Sequence, residues 1–358
     1  MSSFVIKTNK LVFNILFGLT LLISILCNFF LPKKYFNDAN YIVNNKLHGL
    51  EEVGSYGFTI KFYELTYLNK LNYSIVALIQ FVILMYILRK IGLPKNFDKI
   101  NIKNIIIYIS IFMLAIFVSM PSKEFITFLF LSLIIFLLQS NFSFKIKMIL
   151  SFLLFISFGL VFRIYFVLIP VLSIIMYFAS KVKFKNKILS TLTFGIIVVI
   201  FISLTYGLVK GEYMSEGSRE FVNNYRKYSK EAESMIVSPV STDTWYGESV
   251  GILYGFFSVN LPVYEGLKHI LKPQVIAFVV WQLVLLYILF VRYKRALNKR
   301  NEKIIEIWAI LFLFSFFIIQ GVFEPDLGTA TRHKIGFLPL IYFVLYYDYI
   351  GKNKQVNS

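Results

Sequence analysis

Runs of apolar residues broken by short polar stretches recur ten times along the chain. They lie at Leu11 to Leu31, Tyr73 to Leu88, Asn104 to Met120, Phe125 to Gln139, Met148 to Phe162, Ile164 to Ala179, Ile188 to Val209, Val275 to Val291, Ile304 to Phe323 and Ile335 to Ile350. Each run is apolar on all sides and approaches the roughly 20 residues that carry a helix across a bilayer. The pattern predicts an all-α polytopic membrane protein with about 10 transmembrane helices, forming a single integral membrane domain over residues 1–358. Several runs are short for a crossing, which predicts snorkelling flanks or a locally thinned bilayer. Two long segments, 32–72 and 210–273, interrupt the alternation.

Composition agrees with this reading: 58% of residues are hydrophobic and the mean hydropathy is +0.70, too apolar for a soluble domain. Charge then orients the spans. One alternating set of connections carries Lys7, Lys10, the basic residues of 89–103, Lys145, Lys147, Lys181 to Lys187, those of 292–303, and Lys352 and Lys354. That set holds more than half of the 37 Lys and Arg residues but only four acids, Asp98, Glu302, Glu306 and Asp348. The positive-inside rule makes this set cytoplasmic, so both termini are expected inside and both long segments outside. The net charge of +18 is then mostly orientation bias, and no compact basic domain exists to bind nucleic acid. The lone cysteine, Cys27, excludes an intrachain disulfide. The first run resembles a signal peptide in its basic start, but its length predicts a retained anchor.

Candidate chemistry gathers on the predicted outer face. Pro121-Ser122-Lys123-Glu124 is a tight turn between two runs, where a lysine and a glutamate either solvate a hairpin or face an anion. Arg163 splits a long apolar stretch; it marks either a hairpin tip at the headgroups or a functional cation. The most specific string is Glu324-Pro325-Asp326-Leu327-Gly328-Thr329-Ala330-Thr331-Arg332-His333-Lys334. It reads as an active cluster or as a charged turn in which Asp326 or Thr329 caps a helix. The spacing of Phe221, Tyr225, Tyr228, Ala232 and Met235 predicts an amphipathic helix, surface-bound or lid-like. Gly251 to Leu267 is apolar but broken by Pro262 and Glu265, which predicts a re-entrant or interfacial piece. Tyr213, Trp245 and Tyr246 suit either sugar stacking or the bilayer interface. Neither a Gly-rich phosphate loop nor a DxD pair signals a nucleotide sugar.

Outward Arg332-His333, outward Arg163, the long outer segment before the last three runs and the ten-run layout together resemble Wzy-type polymerases of O antigen or capsular polysaccharide. The resemblance covers most of the chain in layout and is most specific over Glu324 to Pro339. It implies a bundle like that of the C-type glycosyltransferases. It also implies a metal-independent, cofactor-free glycosyltransferase at the outer face of the bacterial inner (cytoplasmic) membrane. The donor would be a polyprenyl-diphosphate-linked oligosaccharide, with a chain-length regulator and a flippase as partners. Under the resemblance Arg332 and Arg163, then Lys123 and Arg219, contact the diphosphate. His333 ranks ahead of Glu324 and Asp326 as the catalytic base, its ordinary pKa lying nearest neutrality. An O-antigen ligase shares the same bundle and chemistry, while a flippase or transporter of the same lipid-linked units predicts charges within the spans.

Overall fold

The computed structural model describes residues 7–45, 54–182, 184–226 and 234–350. Lys183, Lys352, Lys354 and residues 227–233 of the amphipathic segment foreseen at 221–235, Tyr228 and Ala232 among them, lie outside those residues. Among the described residues every regular element is helical and no strand forms. Six helices are long and apolar enough to cross a membrane, which makes the chain a membrane-embedded helical protein.

The chain falls into two compact units, residues 1–164 with 332–358, and residues 165–331. The first contains α1 (Thr8–Phe30), α2 (Asn37–Val43), α3 (Ser55–Leu65), α4 (Tyr73–Ile91), α5 (Ile102–Phe117), α6 (Lys123–Gln139) and α7 (Phe144–Val161). The second contains α8 (Leu168–Ala179), α9 (Lys187–Lys210), α10 (Phe221–Arg226), α11 (Trp245–Asn260), α12 (Val263–Lys268), α13 (Pro273–Asn298) and α14 (Ile304–Phe323). The chain returns to the first unit within α15 (Leu327–Gly336), followed by α16 (Leu338–Leu345) and α17 (Tyr347–Ile350). The last apolar run is therefore three helical pieces. Pro339 stands at the start of α16, where its missing N–H costs nothing.

In the first unit α1 packs on α4 and α5, and α6 packs on α4, α7 and α16. Burial along α1 explains its pairing. Phe13, Thr20, Ser24 and Cys27 are buried on one face, while Leu11, Ile15, Leu19 and Leu22 lie exposed on the other. An apolar stripe left uncovered along 23 residues suits lipid rather than water. Local signals set the helix starts. Asn72, Asn101 and Ser122 each accept a backbone N–H in the first turn of the helix they precede.

In the second unit α14 packs against α8, α9, α11 and α13 and is buried over nearly its whole length, as a helix apolar on every side must be. Its closest neighbour is α11, which carries Gly247, Gly251 and Gly255 four residues apart and so on one face. A Cβ on Gly255 would stand 2.0 Å from the carbonyl oxygen of Gly321 in α14. Small residues let these two backbones touch, as in membrane helix pairs generally. Asn260 donates across the same contact to the Phe317 carbonyl at 2.9 Å. The segment Gly251 to Leu267, foreseen as re-entrant or interfacial, comprises the later part of α11 and most of the short α12. The described residues of the long segments 32–72 and 210–273 are largely helical.

Candidate functional site

The site grows from the turn before α6. Ser122 caps that helix, its Oγ accepting from Phe125 N–H at 3.2 Å, and its own N–H donates to Tyr63 Oη of α3 at 3.1 Å. Tyr63 Oη in turn lies 2.5 Å from the Gln80 side-chain amide on α4. Three elements therefore fix the backbone on which Lys123 and Glu124 stand. Glu124 sits in the first helical turn, where the helix dipole favours a carboxylate.

Glu124 is fully buried and gathers three groups. Its Oε1 lies 3.1 Å from Arg163 Nη2 and 3.3 Å from His333 Nε2, and its Oε2 lies 3.5 Å from Arg332 Nη2. Burial alone would raise the carboxyl's pKa. The Arg332 guanidinium, a hydrogen bond from His333 and the Arg163 guanidinium instead hold it well below the usual carboxylate range. Glu124 is therefore ionised, and the chain satisfies the charge without solvent.

A second carboxylate, Asp38 of α2, lies at the accessible end of the same cluster. Its Oδ1 accepts from Tyr56 Oη at 2.9 Å, and its Oδ2 receives Arg332 Nη2 and stands 3.8 Å from Lys123 Nζ. Burial opposes its ionisation, but Lys123 and Arg332 overcome that and hold it below the ordinary range. Lys123 Nζ is also 3.5 Å from the centre of the Tyr56 ring, a cation–π contact. Burial of Lys123, opposed by Asp38 and Glu124 and reinforced by the two guanidiniums, lowers its pKa to about 8. Arg332 moves the other way: burial would weaken its hold on the proton, and Asp38 and Glu124 more than restore it.

Arg163, Arg332, Lys123 and His333, three separate places in the sequence, thus meet around Glu124 and Asp38. Three permanent or near-permanent cations face two carboxylates, which leaves the cluster positive and suited to an anion. Asp38 and Tyr56 escaped sequence reasoning, and Glu124 was seen there only as half of a polar turn. Asp38 and Arg332 are 294 residues apart, a separation that carries no local signal.

The remaining candidates belong to the second unit. Asp326 caps α15, accepting from Thr329 N–H at 2.7 Å and Thr329 Oγ1 at 2.8 Å, and pairs with Arg226 at 3.0 Å. Glu324, at the end of α14, accepts from Gln320 at 3.0 Å. Arg219 is fully buried, donating to the Gly321 carbonyl at 2.8 Å and to Glu220 at 3.2 Å. Its guanidinium occupies the space that a Cβ at Gly251 or Gly255 would take. Burial lowers its pKa, against the pull of Glu220. Trp245 and Tyr246 are exposed at the start of α11. Among the described residues no three His, Cys, Asp or Glu side chains gather as metal ligands.

Fold and site together define a membrane-embedded helical protein with a buried, positively biased cluster of arginine, lysine, histidine and carboxylates. No family model matches the chain, and neither a curated protein nor a solved structure matches it.

Proposed function

We propose that the chain is a polysaccharide polymerase that joins lipid-linked oligosaccharide repeat units at the outer face of a bacterial inner membrane, in O-antigen or capsule synthesis. The observation that carries the reading is the convergence of Arg163, Arg332, Lys123 and His333 on Glu124 and Asp38. In the proposed reaction an acceptor hydroxyl oxygen bonds to C1 of the donor sugar. The bond from C1 to the diphosphate oxygen breaks, and its electron pair leaves with the polyprenyl diphosphate. Guanidinium and ammonium groups stabilise that leaving charge without a metal. His333, whose Nε2 lies 3.3 Å from Glu124 Oε1, is assigned to take the hydroxyl proton. Arg332 and Arg163 are assigned to the diphosphate, with Lys123 beside them; Glu324, Asp326 and Arg219 keep the partners described above.

Four shorter stretches, α5, residues 125–139 of α6, the stretch through α8, and residues 335–350, complete ten crossings in this reading, with both termini cytoplasmic and the bundle of the C-type glycosyltransferase kind. A chain-length regulator and a flippase are the proposed partners. The test is the glycan of a deletion strain. Where the polymer is joined to a lipid core, deletion leaves single repeats without a ladder, and Arg332→Ala does the same at normal protein level. Arg332→Lys recovers little, because an ammonium lacks the two-pronged geometry. A normal ladder in the deletion strain rules the reading out. Polymer retained on the carrier lipid indicates a ligase, and single units trapped on the inner leaflet indicate a flippase.

A further inference from the structure

Asp38 is placed unlike the other carboxylate of the cluster. Glu124 is wholly buried and held by three partners, whereas the Asp38 side chain keeps 26% exposure and sits on the short helix α2. Among the described residues the donors beside the Asp38 carboxylate are of kinds that bind phosphoryl oxygens: a guanidinium, an ammonium and a phenol. The fit is also incomplete. Arg332 Nε is buried without a hydrogen-bond partner among the described residues, although it shares an edge of the guanidinium with the Nη2 that Asp38 engages. A carboxylate reached from one prong leaves that edge half used. A tetrahedral phosphoryl group offers more acceptor oxygens and can take both prongs.

We propose that Arg332, Lys123 and Tyr56 form a diphosphate subsite that the Asp38 carboxylate fills in the free protein and yields when the ligand arrives. The proposal rests on the lipid-diphosphate reading above and adds to it a resident competitor and a phenolic ligand. Asp38 keeps Arg332 and Lys123 from facing one another unscreened while the subsite is empty. Displacement moves α2, whose Tyr41 and Tyr56 contact, with ring centres 4.9 Å apart, links it to α3.

The test is binding of inorganic pyrophosphate to the purified full chain in detergent, with unfolding temperature and monodispersity recorded for each variant. Asp38→Asn removes the competing charge but keeps the shape, and tightens pyrophosphate binding by about tenfold or more, a gain of the size of one displaced charged contact. Arg332→Ala in the Asp38→Asn background abolishes the gain. Unchanged or weaker binding by a well-folded Asp38→Asn protein overturns the proposal. Should that variant not fold, Tyr56→Phe carries the test alone: weaker binding supports the subsite and unchanged binding overturns it. Parallel arms with a short prenyl diphosphate and with phosphatidylglycerol in the micelle separate the sources of phosphate. Preference for the diphosphates supports the assignment, and an equal response to phosphatidylglycerol overturns it. Because binding is read without any glycan, a chain that passes here while its deletion leaves a normal ladder loses the polymerase reading and keeps the subsite.

Discussion

Replacing Glu124 by glutamine removes the charge on which the first unit's buried cations depend while changing almost no volume. At the 3.1 Å separation of Glu124 and Arg163 the bare attraction is about 5 kcal/mol for an effective dielectric of 20. Taking both groups out of water offsets much of that, so the intact pair contributes little net stability. Breaking it is different, since a buried cation then loses the carboxylate charge beside it: the Arg163 side chain is only 6% exposed. Loss of one partner of a buried pair costs about 3–5 kcal/mol. Glu124→Gln withdraws charge from Arg332 as well as from Arg163, although Arg332 keeps Asp38, so it should cost more than Arg163→Gln. The double variant should cost about 2 kcal/mol less than the sum of the two. Unfolding of the purified chain by titrated SDS in mixed micelles, followed for wild type, both single variants and the double, measures this coupling. Additivity within about 0.5 kcal/mol, or Arg163→Gln proving the more damaging, would refute the idea that Glu124 is the hub.

Three further outcomes follow from other parts of the molecule. A reporter fused after Lys185 or Arg295 should be cytoplasmic and one near Tyr225 exported; export at Arg295 would invert the proposed topology. The pKa of Lys123, lowered to about 8, means that between that pH and the ordinary lysine value the unfolded chain binds more protons than the folded one, so stability rises with pH across this window. The unfolding midpoint of wild type minus that of Lys123→Gln should therefore be flat below about pH 8 and rise above it; a difference that falls or stays flat would contradict the buried, destabilised ammonium. Gly255→Ala places a methyl 2.0 Å from the Gly321 carbonyl and should destabilise by about 1–3 kcal/mol, read as a lowered unfolding temperature, whereas Gly211→Ala meets open space but strains a backbone at φ +81°.

The long helices were legible because hydrophobic runs need only local counting. Ile304 to Phe323 is read identically from sequence and coordinates, and the start of α4 at Tyr73 follows from the same pattern, with Asn72 as its cap. The packing of α11 was not legible in the same way. Its apolar stretch was broken by Pro262 and Glu265, which drew the boundary too late, while the informative residues were Gly247, Gly251 and Gly255. Glycines at fourfold spacing mark a face only once the segment is known to be one helix. The final run misled for the opposite reason: 335–350 is apolar but for Asp348, yet the backbone breaks at Phe337 and Tyr346, and only Gly336 and Pro339 beside the first break signal it.

The charged residues follow a different logic, one that couples distant parts of the sequence through desolvation. In a chain with 16% charged residues a cation drawn into the apolar interior must find an anion there. Arg163 was conspicuous because it stood alone in an apolar stretch, and that isolation implied a partner without identifying it. Glu124 is that partner, although in sequence it looked like an ordinary hairpin charge. The string from Glu324 to Lys334 shows the limit of proximity as a guide. Asp326 and Arg332 are six residues apart, a rotation of about 240° on a helix, so they do not share a face. Asp326 is drawn into the helix start by the open N–H of Thr329, and Arg332 turns to Asp38 and Glu124. Neighbours in sequence are thus divided by helical geometry, while residues nearly three hundred positions apart are joined because neither charge can be buried alone.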